Sequence, residues 1–308
     1  MILTLTMNPA LDIYSRVDKI RPTEKMRCEQ ATVDPGGGGI NVSRVIKRLG
    51  GDSIAVYSCG GYTGEIFQSL LSAEGVQQEP VKMQHSIREN FAVSELSSGN
   101  LYRFGFPGPT LQKAEAEAIL QKIEDHKQAE FLVASGSLPP GVPDDFYARV
   151  AEVAKKHDIK FILDTSGKAY TEVLKVGAFL LKPNVNELDD LAGREATNEK
   201  DRKQLLLELL KKYPVECIVL SLGAKGAMLA YGNTVKHFPA VKVQNVSSIG
   251  AGDSMVAGMA LRLSHGSSFE EAVQYGLACG SATIKSPGTE LLQKKDVDEL
   301  FREIKERD

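Results

Sequence analysis

From residue 111 onward, short apolar runs alternate with longer stretches whose apolar positions recur every three or four residues. The runs at 131–135, 160–163, 178–181 and 216–220 read as strands. The stretches at 111–126, 143–157, 168–175, a segment from 184, and 198–212 read as helices. That alternation predicts a mostly parallel sheet with helices on both faces. Residues 225–230 and 234–238 predict an antiparallel pair around Gly232-Asn233, and helices at 252–264, 269–285 and 295–306 complete the chain.

The first hundred residues mix two patterns. Residues 2–6 and 53–58 are short apolar strands, and 62–73 is a helix before a short strand at 76–81. Val42, Val45, Ile46 and Leu49 share a helical face that Gly50 ends. In contrast, 11–18, 26–33, 89–96 and 100–106 alternate without many large aliphatics on either face, and Ser97-Ser98-Gly99-Asn100 is a hairpin turn between the last two. These four segments predict a small, separate β layer. No repeat, low-complexity tract or linker divides the chain, so residues 1–308 are expected to form one domain, with the layer built from 11–33 and 87–106.

Composition narrows the function classes. The net charge is −3 over 308 residues and no basic run marks a nucleic-acid surface. No apolar run approaches the ~18 residues of a membrane span. The start, Met1-Ile2-Leu3-Thr4, lacks a basic leader, and the expected location is cytoplasmic. Cys28, Cys59, Cys217 and Cys279 are scattered without metal-ligand spacing, and Cys217 and Cys279 lie in apolar segments as core residues.

Candidate chemistry collects where strands end. Four loops there are rich in small or polar residues: Asn8 to Asp12, Gly36 to Asn41, Ser135 to Gly141, and Gly250 to Asp253; Lys182 to Glu187 follows another strand. Ligands of open parallel sheets bind beyond the C-terminal strand ends. Gly250-Ala251-Gly252 opens a helix, whose free N–H groups and dipole can hold an anion. An acid beside an anion, Asp253, makes sense as a base taking a proton from an attacking hydroxyl. An ordinary glycine turn with an acidic first helical turn is the alternative.

Gly36-Gly37-Gly38-Gly39-Ile40-Asn41-Val42 and Gly250-Ala251-Gly252-Asp253-Ser254 resemble the two signature regions of the ribokinase-like sugar kinases, in their phosphofructokinase B branch. Thr6 to Asp12, Ser135 to Gly141, and Lys182-Pro183-Asn184 with Glu187 also match, in order, from about residue 1 to 290. The resemblance implies a three-layer α/β/α fold with a small β-sheet lid, and transfer of the γ-phosphate of ATP to a sugar-phosphate hydroxyl. It implies Asp253 as base and the N–H groups of Gly250, Ala251 and Gly252 as anion hole. Asp12, Gly37, Gly38 and Asn41 would hold the sugar, with Ser137 adding a hydroxyl. Lys182, Asn184, Ser221, Gly223, Gly226 and Gly280 would meet ATP, and Glu187 would reach Mg2+ through water. Ser247, Ile249, Thr283, Ser286 and Gly288 occupy the places where relatives bind a monovalent cation, K+ in particular. Pairing of lids between two subunits implies a homodimer.

The substrate phosphate needs cations, and Lys25, Arg88 and Arg103 are the candidates. Relatives acting on fructose 1-phosphate or tagatose 6-phosphate usually carry a lysine at the place of Gly38. Its absence, with the run Glu24-Lys25-Met26-Arg27-Cys28, points to a 6-phosphofructokinase acting on fructose 6-phosphate. Tagatose-6-phosphate kinase and 1-phosphofructokinase are the alternatives, and a non-catalytic sensor of sugar phosphate or nucleotide is the alternative of another class. Glu290 departs from the pattern, where an arginine is expected.

Overall fold

The computed structural model describes residues 1–244 and 246–307. Its elements begin with β1 (Ile2–Thr6), β2 (Ala10–Val17), β3 (Thr32–Gly36), α1 (Gly38–Arg48), β4 (Ser53–Cys59), α2 (Gly61–Ala73), β5 (Gln77–Lys82), β6 (Arg88–Glu95) and β7 (Leu101–Phe104). They continue with α3 (Lys113–Asp125), β8 (Phe131–Ser135), α4 (Phe146–Lys156), β9 (Lys160–Asp164), α5 (Lys168–Val176), β10 (Ala178–Leu181), α6 (Val185–Ala192) and α7 (Glu199–Lys212). The last are β11 (Val215–Ser221), β12 (Ala227–Tyr231), β13 (Thr234–Phe238), α8 (Ala251–Ser264), α9 (Phe269–Ile284) and α10 (Lys294–Arg307).

Nine strands form the main sheet in the order β13-β12-β11-β10-β9-β8-β1-β4-β5. Pairing is parallel from β5 to β11, and the expected hairpin β12–β13 closes one edge antiparallel. Strand β8 explains why its sequence reads as a continuous apolar run. Phe131 and Val133 enter the core beneath α1, α8 and α9, whereas Leu132 and Ala134 enter the core beneath α2, α3 and α4. A strand covered on both faces loses the polar half of its alternation. In β1, at the centre, Leu3 and Leu5 take the second side and Ile2 the first. Thr4 is tolerated there because its hydroxyl meets that of Ser43 on α1 at 2.7 Å.

A second sheet has the order β3-β2-β6-β7. It is the predicted small layer with one correction. A strand was expected over 26–33, but pairing begins at Thr32 and continues to Gly36. Residues 21–31 are exposed throughout. Pro22 and the charges at 24, 25, 27 and 29 leave no buried face, so this stretch runs outside the sheet, tied back by Glu29 N–H to the Arg16 carbonyl at 2.8 Å. The four cysteines are free thiols, with Cys59, Cys217 and Cys279 buried. Among the described residues no helix is long and apolar enough to cross a membrane.

Candidate active site

The second sheet stands over the C-terminal end of β1 and the start of α8, enclosing a cavity of about 400 Å³. Asp12, Gly37, Gly38, Asn41, Arg88, Arg103, Ile249, Gly250 and Asp253 all line it, so six of the sugar candidates, the base and the first residue of the anion hole meet in one place.

Asp253 sits in the first turn of α8, behind Gly250, which adopts φ 74° as the residue preceding the helix. Asn41 donates through Nδ2 to Asp253 Oδ2 at 2.9 Å, and the Ser135 hydroxyl donates to Oδ1 at 3.2 Å. Burial, with the nearby charge of Asp164, pushes the Asp253 carboxyl up to about 6, against the pull of those donors and of Lys182. A carboxylate tuned to that range is charged at neutral pH and can still accept a proton. Gly252 leaves its flank open, and a Cβ there would lie 3.6 Å from Lys182 Nζ. The start of α8 therefore faces a buried ammonium.

Lys182 is held by Asp164 at 3.1 Å, with both side chains buried. Burial raises the Asp164 carboxyl, and the adjacent acid keeps Lys182 protonated. From the sequence, Asp164 is not a candidate, and Ser135 appears only as the start of the loop to Gly141 without a role of its own. Each is the last residue of a strand, β9 and β8, at the same sheet edge as the chosen loops. Strand-end position was the one available signal.

The floor of the cavity is the glycine loop. A Cβ on Gly38 would lie 2.2 Å from Ser135 Oγ and 2.7 Å from that residue's carbonyl carbon, and one on Gly39 2.3 Å from the Leu5 carbonyl oxygen. Asn41 follows on α1 and is buried. Asp12 projects from β2, its Oδ1 accepting from Asn90 Nδ2 at 2.8 Å. Burial raises the Asp12 carboxyl, and Asn90, Arg88, Arg44 and Arg103 oppose the shift. Arg88 donates to the carbonyls of Phe106 (2.7 Å) and Asn8 (3.1 Å), while its Nε is buried without a partner.

Other candidates lie elsewhere. Lys25 is exposed on the stretch outside the sheet and does not line the cavity. Ser137 is also outside it, bonded to Asn8 Nδ2 at 3.4 Å. Asn184 and Glu187 cap α6 reciprocally, Glu187 N–H to Asn184 Oδ1 at 3.0 Å and Asn184 N–H to Glu187 Oε2 at 2.8 Å. Ser221 bridges to Asn184, so these residues form one edge near Lys182. A Cβ on Gly226 would lie 2.0 Å from the Phe238 carbonyl oxygen, whereas one on Gly223 meets nothing within 4 Å. Gly280 is buried where α9 packs on α8, and a Cβ would come 3.1 Å from the Ala251 carbonyl oxygen. Its small size serves that helix contact.

Of the cation candidates, the Ser247 hydroxyl meets the Gly288 carbonyl at 2.7 Å and accepts from Ile249 N–H at 3.3 Å. Ser286 Oγ donates to the Leu291 carbonyl at 3.4 Å, and the Thr283 hydroxyl is turned to Ser254 Oγ at 2.7 Å. Glu290 is exposed at this turn.

Residues 5–296 match the model of the pfkB family carbohydrate kinases. The chain is 44% identical to the ATP-dependent 6-phosphofructokinase isozyme 2 of Mycobacterium tuberculosis over 97% of this chain and 88% of that protein. Phosphofructokinase-2 from Escherichia coli, solved in complex with potassium, is 37% identical and superposes with a TM-score of 0.95 over 99% of both chains. The same enzyme in complex with fructose-6-phosphate gives 0.92, again over 99% of each chain. Arabidopsis thaliana ribokinase, 21% identical, shares the fold alone, with a TM-score of 0.78 over 97% of this chain and 98% of that one.

Proposed function

Because the chain belongs to the pfkB family of carbohydrate kinases, we propose that it is an ATP-dependent 6-phosphofructokinase, converting fructose 6-phosphate to fructose 1,6-bisphosphate. The observation that carries this reading is Asp253. A half-buried carboxylate at the anion-binding end of α8, held at both oxygens by Asn41 and Ser135, faces the same cavity as Arg88 and Arg103.

The C1 hydroxyl of the sugar attacks the γ-phosphorus of ATP, the bond from γ-phosphorus to the bridging oxygen breaks, and ADP leaves. Asp253 takes the hydroxyl proton. The N–H groups of Gly250, Ala251 and Gly252 stabilise charge on the transferred phosphoryl, with Lys182 opposite. Asp12 and Asn41 orient the sugar hydroxyls over Gly37 and Gly38. Arg88, with an unpaired Nε, and Arg103 hold the 6-phosphate. Lys25 joins them only if the exposed stretch around it folds inward, and Ser137 only if it leaves Asn8.

ATP would lie along Lys182, Asn184, Ser221 and Gly223. Glu187 keeps Oε1 outside its helix cap, and its carboxyl is raised by burial first and then by the nearby charge of Asp164. Such oxygens suit a hydrated Mg2+, which neutralises phosphate charge when bound. A K+ ion suits the turn where Ser247 and Gly288 meet, with carbonyls of Ile249, Thr283 and Ser286 as further donors. The second sheet acts as a lid that excludes water. Its exposed Phe91 and Phe104, paired across β6 and β7, and its open edge strands β3 and β7 support a homodimer through this sheet. Free thiols fit a cytoplasmic location.

The test is ADP release with fructose 6-phosphate, tagatose 6-phosphate and fructose 1-phosphate, for wild type and Asp253→Asn. Turnover greatest with fructose 6-phosphate and lost in the variant is the expected result. Preference for another ketohexose phosphate would reassign the substrate. Sugar-phosphate binding without ATP consumption by either form would make the protein a sensor.

A further inference from the structure

The turn at Gly288-Thr289 is gripped from two sides. From the second sheet, the Tyr14 ring lies so close to Gly288 that a Cβ there would be 2.4 Å from Tyr14 Cδ1. The Thr289 hydroxyl donates to Asp34 Oδ2 at 2.6 Å. From the helix side, Ser247 Oγ donates to the Gly288 carbonyl and accepts from Ile249 N–H, one residue before Gly250. The Leu291 side chain lies against Gly250, where a Cβ would come within 2.7 Å of it.

Asp34 is itself tied to the helix side. Its Oδ1 is 3.2 Å from Arg44 Nη2. Arg44 is fully buried on α1 and divides its remaining donors among Glu74, the Pro35 carbonyl and Asn41 Oδ1. Asp34 also stands directly across from Asp12 in the β2–β3 ladder. A continuous path of short contacts thus runs from the strand pair carrying Asp12, through Asp34, Thr289, Gly288 and Ser247, to the turn that begins α8.

We propose that Thr289 is a positioning residue for phosphoryl transfer, setting the anion-hole turn at Gly250 against the second sheet that carries Asp12. The inference rests on the kinase reading above. In that reading the sugar is held by one sheet and the transferred group by a helix of another layer, so the two must be kept in register. Misplacement by about 1 Å between reacting groups costs about 10²-fold in rate. A charge-assisted bond from a buried hydroxyl to a carboxylate held on its other oxygen by Arg44 resists that drift.

Thr289→Val keeps the shape and removes the donor, whereas Thr289→Ser keeps the donor and removes a methyl. Thr289→Val is expected to lower kcat about tenfold or more at saturating substrates. Thr289→Ser should restore most of the loss, and Thr289→Val added to Asp34→Asn should cost little more than Asp34→Asn alone. Hydrogen exchange of backbone amides in 247–254, measured without substrate, should rise in Thr289→Val and not in Thr289→Ser. The opposite ranking, additive losses, or exchange changes confined to 287–291 would overturn the proposal. If the wild type phosphorylates no sugar phosphate, the kinase reading fails, and the exchange experiment alone decides whether Thr289 couples the two layers.

Discussion

The Asn41 amide donates to Asp253 across 2.9 Å and so joins the glycine loop to the start of α8, residues 212 positions apart. Its Oδ1 accepts from Arg44 at 3.4 Å, which leaves Nδ2 as the atom facing the acid. Donation from Asn41 lowers the Asp253 carboxyl, against a burial effect that lifts it to about 6. Turnover should therefore fall on the acid side of about pH 6, as the base takes up its proton. Asn41→Ala should move that limb to higher pH, and Asp253→Asn should reduce kcat by about 10²–10⁴-fold. A pH–rate profile of the three proteins checks all of this.

The same carboxylate lowers stability. Its folded-state value lies above the ordinary 3.8, so between there and about 6 the folded protein holds a proton that the unfolded chain has lost. Stability from this group falls as pH rises through that window, and above it the buried charge is a standing cost. Asp253→Asn should thus raise stability well above pH 6 by about 1–3 kcal/mol, with a gain that shrinks towards pH 4. Thermal unfolding at the two ends of the range measures the difference.

Arg88 should separate the two substrates. Its Nε has no partner in the protein, and its Nη atoms are tied to carbonyls beside the cavity. Arg88→Ala should raise KM for fructose 6-phosphate about 10–100-fold and change KM for ATP less than about threefold. Equal effects on both would remove Arg88 from the phosphate site.

Phe104 is 55% exposed beside Phe91 on the second sheet. If this sheet pairs two subunits, Phe104→Glu should shift the protein from dimer to monomer in sedimentation velocity without lowering the helical signal of the main domain. A wild-type protein already monomeric at micromolar concentration would refute the interface.

The layered core was legible because both faces of the parallel strands are buried, which makes runs such as Phe131 to Ala134 uniformly apolar. The meeting of Asp12, Asn41 and Asp253 was legible because each follows a strand end or opens a helix, and such ends converge. Asp164 was not, since an acid ending a buried strand carries no local pattern until the opposing Lys182 is seen. Asn90 was missed for the same reason: its role depends on Asp12, 78 residues earlier. Lys25 lies on an exposed stretch away from the cavity of this chain. A cation on a segment assigned to the sheet reads as facing the cleft, yet β3 begins only at Thr32.

The crowding beneath Gly38 and Gly39 has a consequence for how the substrate range can change. The cavity floor is backbone pressed against backbone, with Ser135 and Leu5 already in contact distance of any added carbon. Side chains adjust by rotating, but main chain in a packed sheet does not, so the floor behaves as a gauge of fixed depth. A new cation introduced at Gly38 would have to displace Ser135, and with it one of the donors to Asp253. A lysine at that position therefore needs a compensating shift of Ser135 along with it. Variation is cheaper at the rim, where Arg88, Asn90 and Arg103 belong to a separate sheet and can be exchanged while the catalytic turn stays as it is.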